Sequence, residues 1–338
     1  MAIEVMINGM GRIGRALYRR IVKNFSQDIR VVAVNDPNLT VKELAYLLNY
    51  DSTGQGLKGE VIVENEDNIS YQGINTYLYN ILDISNIPIA QWGHIYVFDC
   101  TGKNTTREDL QGYLDAGAVK VILCCPPATN EIPQIVYGVN HEYLSASDNI
   151  ISISSCSNQA IASLLKPFIG IYEIDNCVAK VIRSYTNDQN LMDNVDHSKI
   201  ERGRAAAVNI IPTTVSGNGK LIGAIIPALN GKVIAQAFRT PTILGGAIDL
   251  TINLSGTSLA KDEIDNLMTT YSKNNDNMDY SNDRLVSSDV IGNPSAVLYL
   301  SAYTLVVGNT INIVGLYDNE NGFAAQAVRT AIYMSTFE

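Results

Sequence analysis

Gly9-Met10-Gly11-Arg12-Ile13-Gly14 follows a short apolar run, Ile3 to Ile7, and opens an amphipathic stretch from Arg12 to Lys23. The run before it reads as a strand and the stretch after it as a helix, and Arg30 to Asn35 reads as a second, buried strand, which completes a βαβ unit. In that setting each glycine has a physical task. Without Cβ atoms, Gly9 and Gly11 let the backbone turn tightly and approach a pyrophosphate, whose charge is bound by N–H groups at the helix start. Gly14 lets helix and strand pack closely. Asp36 stands at the tip of the second strand, 22 positions beyond Gly14, where a carboxylate can accept hydrogen bonds from a ribose diol and repel a 2′-phosphate. The pattern predicts a dinucleotide site that takes NAD rather than NADP.

Working outward, further β-branched runs at His94 to Asp99, Val119 to Cys124 and Asn149 to Ser154 are nearly continuous in apolarity, as suits a parallel sheet covered on both faces. A doubly wound α/β domain over residues 1–155 is the simplest reading. After Cys156 the texture changes. A helical run from Asn158 to Tyr172 precedes long strands at Ala179 to Thr186, Lys232 to Pro241, Gly246 to Leu254 and Ser295 to Leu316. These predict a second, α+β domain over 156–319 with a mixed or antiparallel sheet. The Asn- and Asp-rich piece Lys273 to Asp283 reads as a surface loop. Gly322 to Met334 has helical spacing, so the C-terminal segment 320–338 is expected to pack back on a core and complete the first domain.

Composition excludes several classes of partner. The chain has 338 residues, 46% hydrophobic and 17% charged, with 24 Lys plus Arg against 34 Asp plus Glu and a formal net charge of −10. The basic footprint that a nucleic acid backbone requires is missing. Neither a signal peptide nor an apolar run of bilayer length is evident, so a cytoplasmic protein without membrane contact is expected. The five cysteines have no zinc-like spacing, and no metal site is expected.

One cysteine stands apart. Ser154-Ser155-Cys156-Ser157-Asn158 lies where a buried strand hands over to a helix, and a helix N-terminus favours thiolate over thiol. Position alone leaves two readings of Cys156 open, a nucleophile or a small buried hydrophobe. Cys100, Cys124, Cys125 and Cys177 lie inside apolar runs and read as structural.

Several segments together resemble the glyceraldehyde-3-phosphate dehydrogenase family, in order and over nearly the whole chain. They are Ile7 to Arg15, Val34-Asn35-Asp36-Pro37, Tyr50-Asp51-Ser52-Thr53, Cys100-Thr101-Gly102, Gly138-Val139-Asn140-His141, Asn209 to Pro212, Leu229 to Lys232, Phe238 to Thr242 and Tyr317-Asp318-Asn319-Glu320. The resemblance implies a Rossmann domain with a catalytic domain, NAD as cofactor, and oxidative phosphorylation of an aldehyde through a cysteine thioester. It implies cofactor contacts at Gly9, Gly11, Arg12, Ile13, Gly14, Asp36, Thr101, Gly102 and Asn319, with Asn319 on the nicotinamide carboxamide. Cys156 falls at the nucleophile, Thr186 and Arg239 at the pocket for the substrate's phosphate, and Ser155, Ser157, Ser216 and Gly217 at or near that for attacking inorganic phosphate. A homotetramer is implied, with the loop after Thr186 reaching a neighbour's cofactor.

The chain also departs from the family pattern. Cys156-Ser157-Asn158-Gln159-Ala160 stands where the family has Cys-Thr-Thr-Asn-Cys, Cys124-Cys125 stands where Ser-Ala is common, and Thr213 to Gly219 is one residue longer than usual. Arg183 occupies the position of the catalytic histidine, immediately before Ser184-Tyr185-Thr186. Asp99-Cys100-Thr101-Gly102 and Phe323 are similar to erythrose-4-phosphate dehydrogenases, whereas Thr186 and Thr213-Thr214 are similar to the glycolytic type. The readings that follow are a dehydrogenase of glyceraldehyde 3-phosphate with reduced rate, a dehydrogenase of erythrose 4-phosphate, or an NAD-binding relative that has lost turnover and acts as an interaction protein. His94 and His141 lie in segments that read as structural, and His197 sits in the loop beyond Gln189, where a rescue of the missing base is not expected.

Overall fold

A computed structural model describes residues 2–196, 199–213 and 218–338. Chain contacts divide into two compact units. The first comprises Met1–Tyr137, His141–Ser155 and Ala324–Glu338, and the second Gly138–Asn140 with Cys156–Phe323.

The first unit holds an eight-stranded sheet. Its strands are β1 (Ile3–Asn8), β2 (Ile29–Asn35), β3 (Val61–Val63), β4 (Asn68–Tyr71), β5 (Ile74–Tyr79), β6 (Ile95–Asp99), β7 (Lys120–Leu123) and β8 (Ile150–Ser152), in spatial order β3-β4-β5-β2-β1-β6-β7-β8. From β5 to β8 all neighbours are parallel, and the α/β expectation holds. The antiparallel β3-β4-β5 meander was not expected from the sequence. Helices α1 (Arg12–Arg20), α2 (Val41–Asn49) and α3 (Arg107–Asp115) belong to this unit. The helix expected to reach Lys23 instead loosens into a π-turn over Ile21–Phe25. Thr40 and Thr106 cap α2 and α3 reciprocally with Glu43 and Asp109, which explains why those helices start where they do. Because the chain leaves β1 for β2 on one side and resumes at β6 on the other, the order reverses between β1 and β6. That is where an open α/β sheet forms a crevice.

The second unit begins with α4 (Cys156–Leu165), so Cys156 is itself the first helical residue, two positions earlier than the sequence reading. Its seven-stranded mixed sheet comprises β9 (Ile174–Ser184), β10 (Ile211–Thr213), β11 (Val233–Thr240), β12 (Gly246–Leu254), β13 (Met278–Ser281), β14 (Val297–Val307) and β15 (Thr310–Tyr317), ordered β10-β11-β9-β12-β15-β14-β13. Helices α5 (Asn218–Ile225) and α6 (Lys261–Asn274) complete it, and α7 (Asn321–Ser335) carries the chain back to the first unit. Two expectations need correction. Lys273 to Asp283 is not a loop: it contains the end of α6 and the edge strand β13, which pairs with β14. Ser295 to Leu316 is not one strand but a hairpin, turned at Gly308 with φ +61°. Residues Ser157 to Leu165 are all buried, as α4 packs on β12, β14, β15 and α5. The nucleophile candidate therefore sits on a rigid element.

Candidate active site and cofactor cavity

The first unit contains a cavity of about 260 Å³ at its strand ends, lined among others by Gly9, Gly11, Asn35, Asp36, Cys100 and Thr101. Gly9 has φ +91°, and a Cβ there would stand 2.9 Å from the backbone of Cys100 and Thr101. A Cβ on Gly14 would lie 2.0 Å from the carbonyl oxygen of Gly9. Both glycines are thus sterically required, whereas Gly11 faces open space. No side chain caps α1 at Gly11 and no acidic residue occupies its first turn, so a pyrophosphate can take that place. Asp36 is fixed by the N–H groups of Met10 and Asn38, each at 3.0 Å on a different carboxylate oxygen. These features fit a dinucleotide.

Not every residue expected there lines the cavity. Arg12, Ile13, Gly14 and Gly102 do not; Arg12 lies 3.8 Å from the Asp51 carboxylate, and Asn319 belongs to the second unit. Cys100 does line it, and so do Asn8, which lies within the matched segment Ile7 to Arg15, and Asn104, which no motif flagged. Titration of NAD and NADP by calorimetry is expected to show at least tenfold tighter NAD, because a 2′-phosphate would meet Asp36 as a like charge. Asp36→Ala should narrow the gap; equal affinity in the unaltered protein would contradict the role of Asp36.

In the second unit, strand register builds the site. Arg239 on β11 pairs with Arg183 on β9, Arg183 with Gly246 on β12, and Gly246 with Tyr317 on β15. Residues in one row across a sheet project from the same face, so both guanidinium groups and the phenol share a face. Gly246 leaves the gap that makes this possible, since a Cβ there would lie 2.8 Å from the Tyr317 ring. Cys156 joins this row: its thiol feels the charge of Arg183, and Arg239 and Tyr317 feel the charge of Cys156.

Three guanidinium groups converge here. Arg239 is 6% exposed, donates to Thr186 Oγ1 and, at 3.0 Å, to Gln189 Oε1, and lies 3.5 Å from Asp188. Arg202 pairs with Asp188. Burial, then the charges of Arg183 and Arg202, pull the Arg239 pKa down to about 9. Among the described residues the buried Nε atoms of Arg183, Arg202 and Arg239 have no hydrogen-bond partner. Such a crowd of cations, two of which share the Asp188 carboxylate, is costly as it stands and is relieved by an anion. Sequence reading found Arg239 and Thr186 but missed Arg202, Gln189 and Tyr317; only Tyr317 carried a signal, as the neighbour of Asp318-Asn319. Asn319 Oδ1 accepts from Gly245 N–H at 2.9 Å and from Ser184 Oγ at 3.3 Å. Ser155 precedes α4 and Ser157 is buried in its first turn; Ser216 and Gly217 lie outside the described residues, as does His197.

The expectation that helix start and cation together depress the Cys156 pKa is corrected. Burial dominates and pushes the thiol up, against the opposing pull of Arg183 and of the N–H groups of Ser157 and Cys156 on the sulfur; Asp318 pushes it up further. Burial holds Cys125 and Cys177 at about 12, and contact with Cys100 followed by burial raises Cys124; Cys100 lies in the wall of the cofactor cavity. Only thiolate is alkylated. Cys156, on which Arg183 and the helix-start N–H groups act, is therefore expected to react with iodoacetamide ahead of Cys124, Cys125 and Cys177, at a rate still rising as pH passes about 8, because burial holds its pKa above the unperturbed value. Peptide mapping by mass spectrometry checks both; a plateau below pH of about 8, or preferential labelling of Cys124 or Cys125, would contradict them.

Comparison with known proteins agrees with this geometry. Residues 3–107 match the profile described as glyceraldehyde 3-phosphate dehydrogenase, NAD binding domain, and residues 155–319 that described as glyceraldehyde 3-phosphate dehydrogenase, C-terminal domain. The chain is 34% identical to glyceraldehyde-3-phosphate dehydrogenase of Cochliobolus lunatus over 341 aligned residues, covering 100% of this chain and 99% of that protein. This chain belongs to the glyceraldehyde-3-phosphate dehydrogenase family. The enzyme of Neurospora crassa is also 34% identical, over 99% of this chain and 98% of its own. For this family member the Rossmann domain, the α+β catalytic domain and NAD as cofactor follow directly. No helix among the described residues is long and apolar enough to cross a membrane.

Proposed function

We propose that this chain catalyses NAD-dependent oxidative phosphorylation of glyceraldehyde 3-phosphate to 1,3-bisphosphoglycerate through a thioester on Cys156, at a reduced rate. The observation that carries this reading is the row of Arg239, Arg183 and Tyr317 beside the Cys156 thiol, with Thr186 and Arg202 completing an anion site. The Cys156 thiolate adds to the aldehyde carbon, forming the C–S bond of a hemithioacetal. Arg183 stabilises both the thiolate and the developing oxyanion. Tyr317 stays a neutral phenol and cannot serve as the base, since burial, first of all, and then the charge of Cys156 push its pKa up. NAD, when bound, supplies the acceptor for hydride. The hydroxyl proton of the hemithioacetal leaves with that hydride to solvent water, because the Arg183 guanidinium cannot accept it, and this is the step that lowers the rate. Inorganic phosphate then attacks the thioester carbonyl and the C–S bond breaks, returning Cys156 as thiolate. Arg239, with Thr186, holds the substrate's own phosphate. Asn319, its Oδ1 engaged by Gly245 and Ser184, presents Nδ2 to the nicotinamide carboxamide.

The three-carbon substrate is favoured over erythrose 4-phosphate by Thr186 and the Thr213-Thr214 pair, of which Thr214 lies outside the described residues. Exposure of Leu191, Met192, Val195, Ile200, Val208 and Ile210 on the segment after Thr186 supports a homotetramer that covers this apolar surface. A second reading, an NAD-binding protein without turnover, is favoured by Arg183 alone. His94 meets Glu338 and His141 packs on Tyr137 and Tyr333, so both read as structural rather than as a substitute base. Mixing the enzyme with NAD and aldehyde while withholding phosphate separates the readings. An acyl adduct on the Cys156 peptide, with about one NADH per chain, is expected; NADH formed without modification of Cys156, or neither product, would overturn the proposal.

A further inference from the structure

Behind the cofactor cavity of the first unit runs a set of buried polar side chains that the glycine motif does not explain. Asp99, the last residue of β6, is 0% exposed. Its Oδ1 accepts from the N–H of Thr101 at 2.9 Å and from Thr101 Oγ1 at 2.7 Å, and its Oδ2 accepts from Asn104 Nδ2 and Tyr113 Oη, each at 2.7 Å. The Tyr113 hydroxyl in turn accepts from Asn8 Nδ2. Asn8 Oδ1 accepts from Asn35 Nδ2 at 2.7 Å, and Asn35 is tied to the backbone of Ile81 in both directions at 2.9 Å. Asn8, Asn35, Thr101 and Asn104 line the cavity, whereas Asp99 and Tyr113 do not. Two residues outside the wall thus hold Asn8, Thr101 and Asn104 directly and Asn35 through Asn8, wall residues drawn from the ends of β1 and β2 and from the loop after β6.

We propose that Asp99 and Tyr113 are positioning residues for the adenosine half of NAD, holding Asn8, Asn35, Thr101 and Asn104 in the geometry that receives it. The adenosine half is the relevant one because Asp36, which faces the adenosine ribose diol in sites of this kind, lines the same cavity. The inference rests on that assignment of the cavity. A wall built from side-chain amides and hydroxyls binds well only when pre-organised, because otherwise their ordering is charged against binding. Asp99 and Tyr113 supply that order from within a low-dielectric interior, where removing one partner leaves the others unsatisfied. The ring of Tyr113 packs in the apolar core with residues such as Leu110 and Val121, so its hydroxyl alone addresses the network.

Calorimetric titration with ADP-ribose tests the proposal, since this probe fills the cavity without the nicotinamide or Cys156. Tyr113→Phe keeps the ring and removes the hydroxyl. It is expected to raise the ADP-ribose Kd about tenfold, while kcat at saturating NAD and the alkylation rate of Cys156 stay unchanged. Asp99→Asn should weaken ADP-ribose similarly and carries the test if Tyr113→Phe does not fold. Unaltered ADP-ribose affinity in a folded variant would overturn the proposal, as would a loss of kcat at saturating NAD equal to the loss of affinity, which marks a merely structural role. Failure of the unaltered protein to bind ADP-ribose would instead overturn the assignment of the cavity, and the inference with it.

Discussion

Arg183→His is expected to raise turnover with NAD, phosphate and glyceraldehyde 3-phosphate by about a hundred- to ten-thousandfold, the usual range of general base catalysis. Arg183 lies on β9 in the same row as Arg239 and Tyr317 and acts electrostatically on the Cys156 thiol. A guanidinium there lowers the thiol pKa and can donate to an oxyanion, but as a permanent cation with no free lone pair it cannot accept the hemithioacetal proton at neutral pH. Imidazole, with a pKa near 6.5, can do so. Steady-state NADH formation measures the gain, and unchanged NAD affinity shows that the fold is kept. If turnover does not rise, a different group in the site accepts the proton. Arg183→Gln is the complementary control: it removes the pull toward thiolate and should slow Cys156 alkylation at fixed pH.

Arg239→Gln is expected to lower kcat/KM for the phosphorylated aldehyde roughly a hundredfold, mostly through KM, while leaving unphosphorylated glyceraldehyde nearly unaffected. A charge-assisted hydrogen bond contributes on the order of 1.5 to 3 kcal/mol, about ten- to a hundredfold or more in affinity. Arg239 is buried, already oriented by Thr186 and Gln189, and crowded by Arg183 and Arg202, so its charge is poorly balanced until an anion arrives. Comparing the two aldehydes in the same assay separates loss of phosphate binding from general damage. An equal fall for both would place Arg239 in fold maintenance instead.

What the sequence disclosed and what it withheld have physical causes. The βαβ unit was legible because Gly9, Gly14 and Asp36 each answer a local demand, a positive φ, a close approach or a strand-end carboxylate, that few other residues meet. Strand β3 is only three residues long, and β4 and β5 carry mixed polar and apolar residues in short runs, so only pairing makes them strands. Likewise β13 hides in an Asn- and Asp-rich segment because an edge strand needs few apolar residues. The candidate site was half legible. Cys156, Arg239, Thr186 and Arg183 could be matched to family motifs, but their convergence depends on register across β11, β9, β12 and β15, which no local pattern encodes. The thiol's raised pKa was misjudged for a related reason: the helix start and Arg183 are visible in sequence, whereas burial comes from packing.

A thiol set among three arginines is expected to turn over a phosphorylated aldehyde with Arg183 where the family pattern has histidine. NADH absorbance after mixing the purified protein with NAD, phosphate and glyceraldehyde 3-phosphate tests it most directly. A slow, phosphate-dependent rise that exceeds the rate with erythrose 4-phosphate and disappears in Cys156→Ser is expected. No NADH beyond background from folded protein that binds NAD would contradict it.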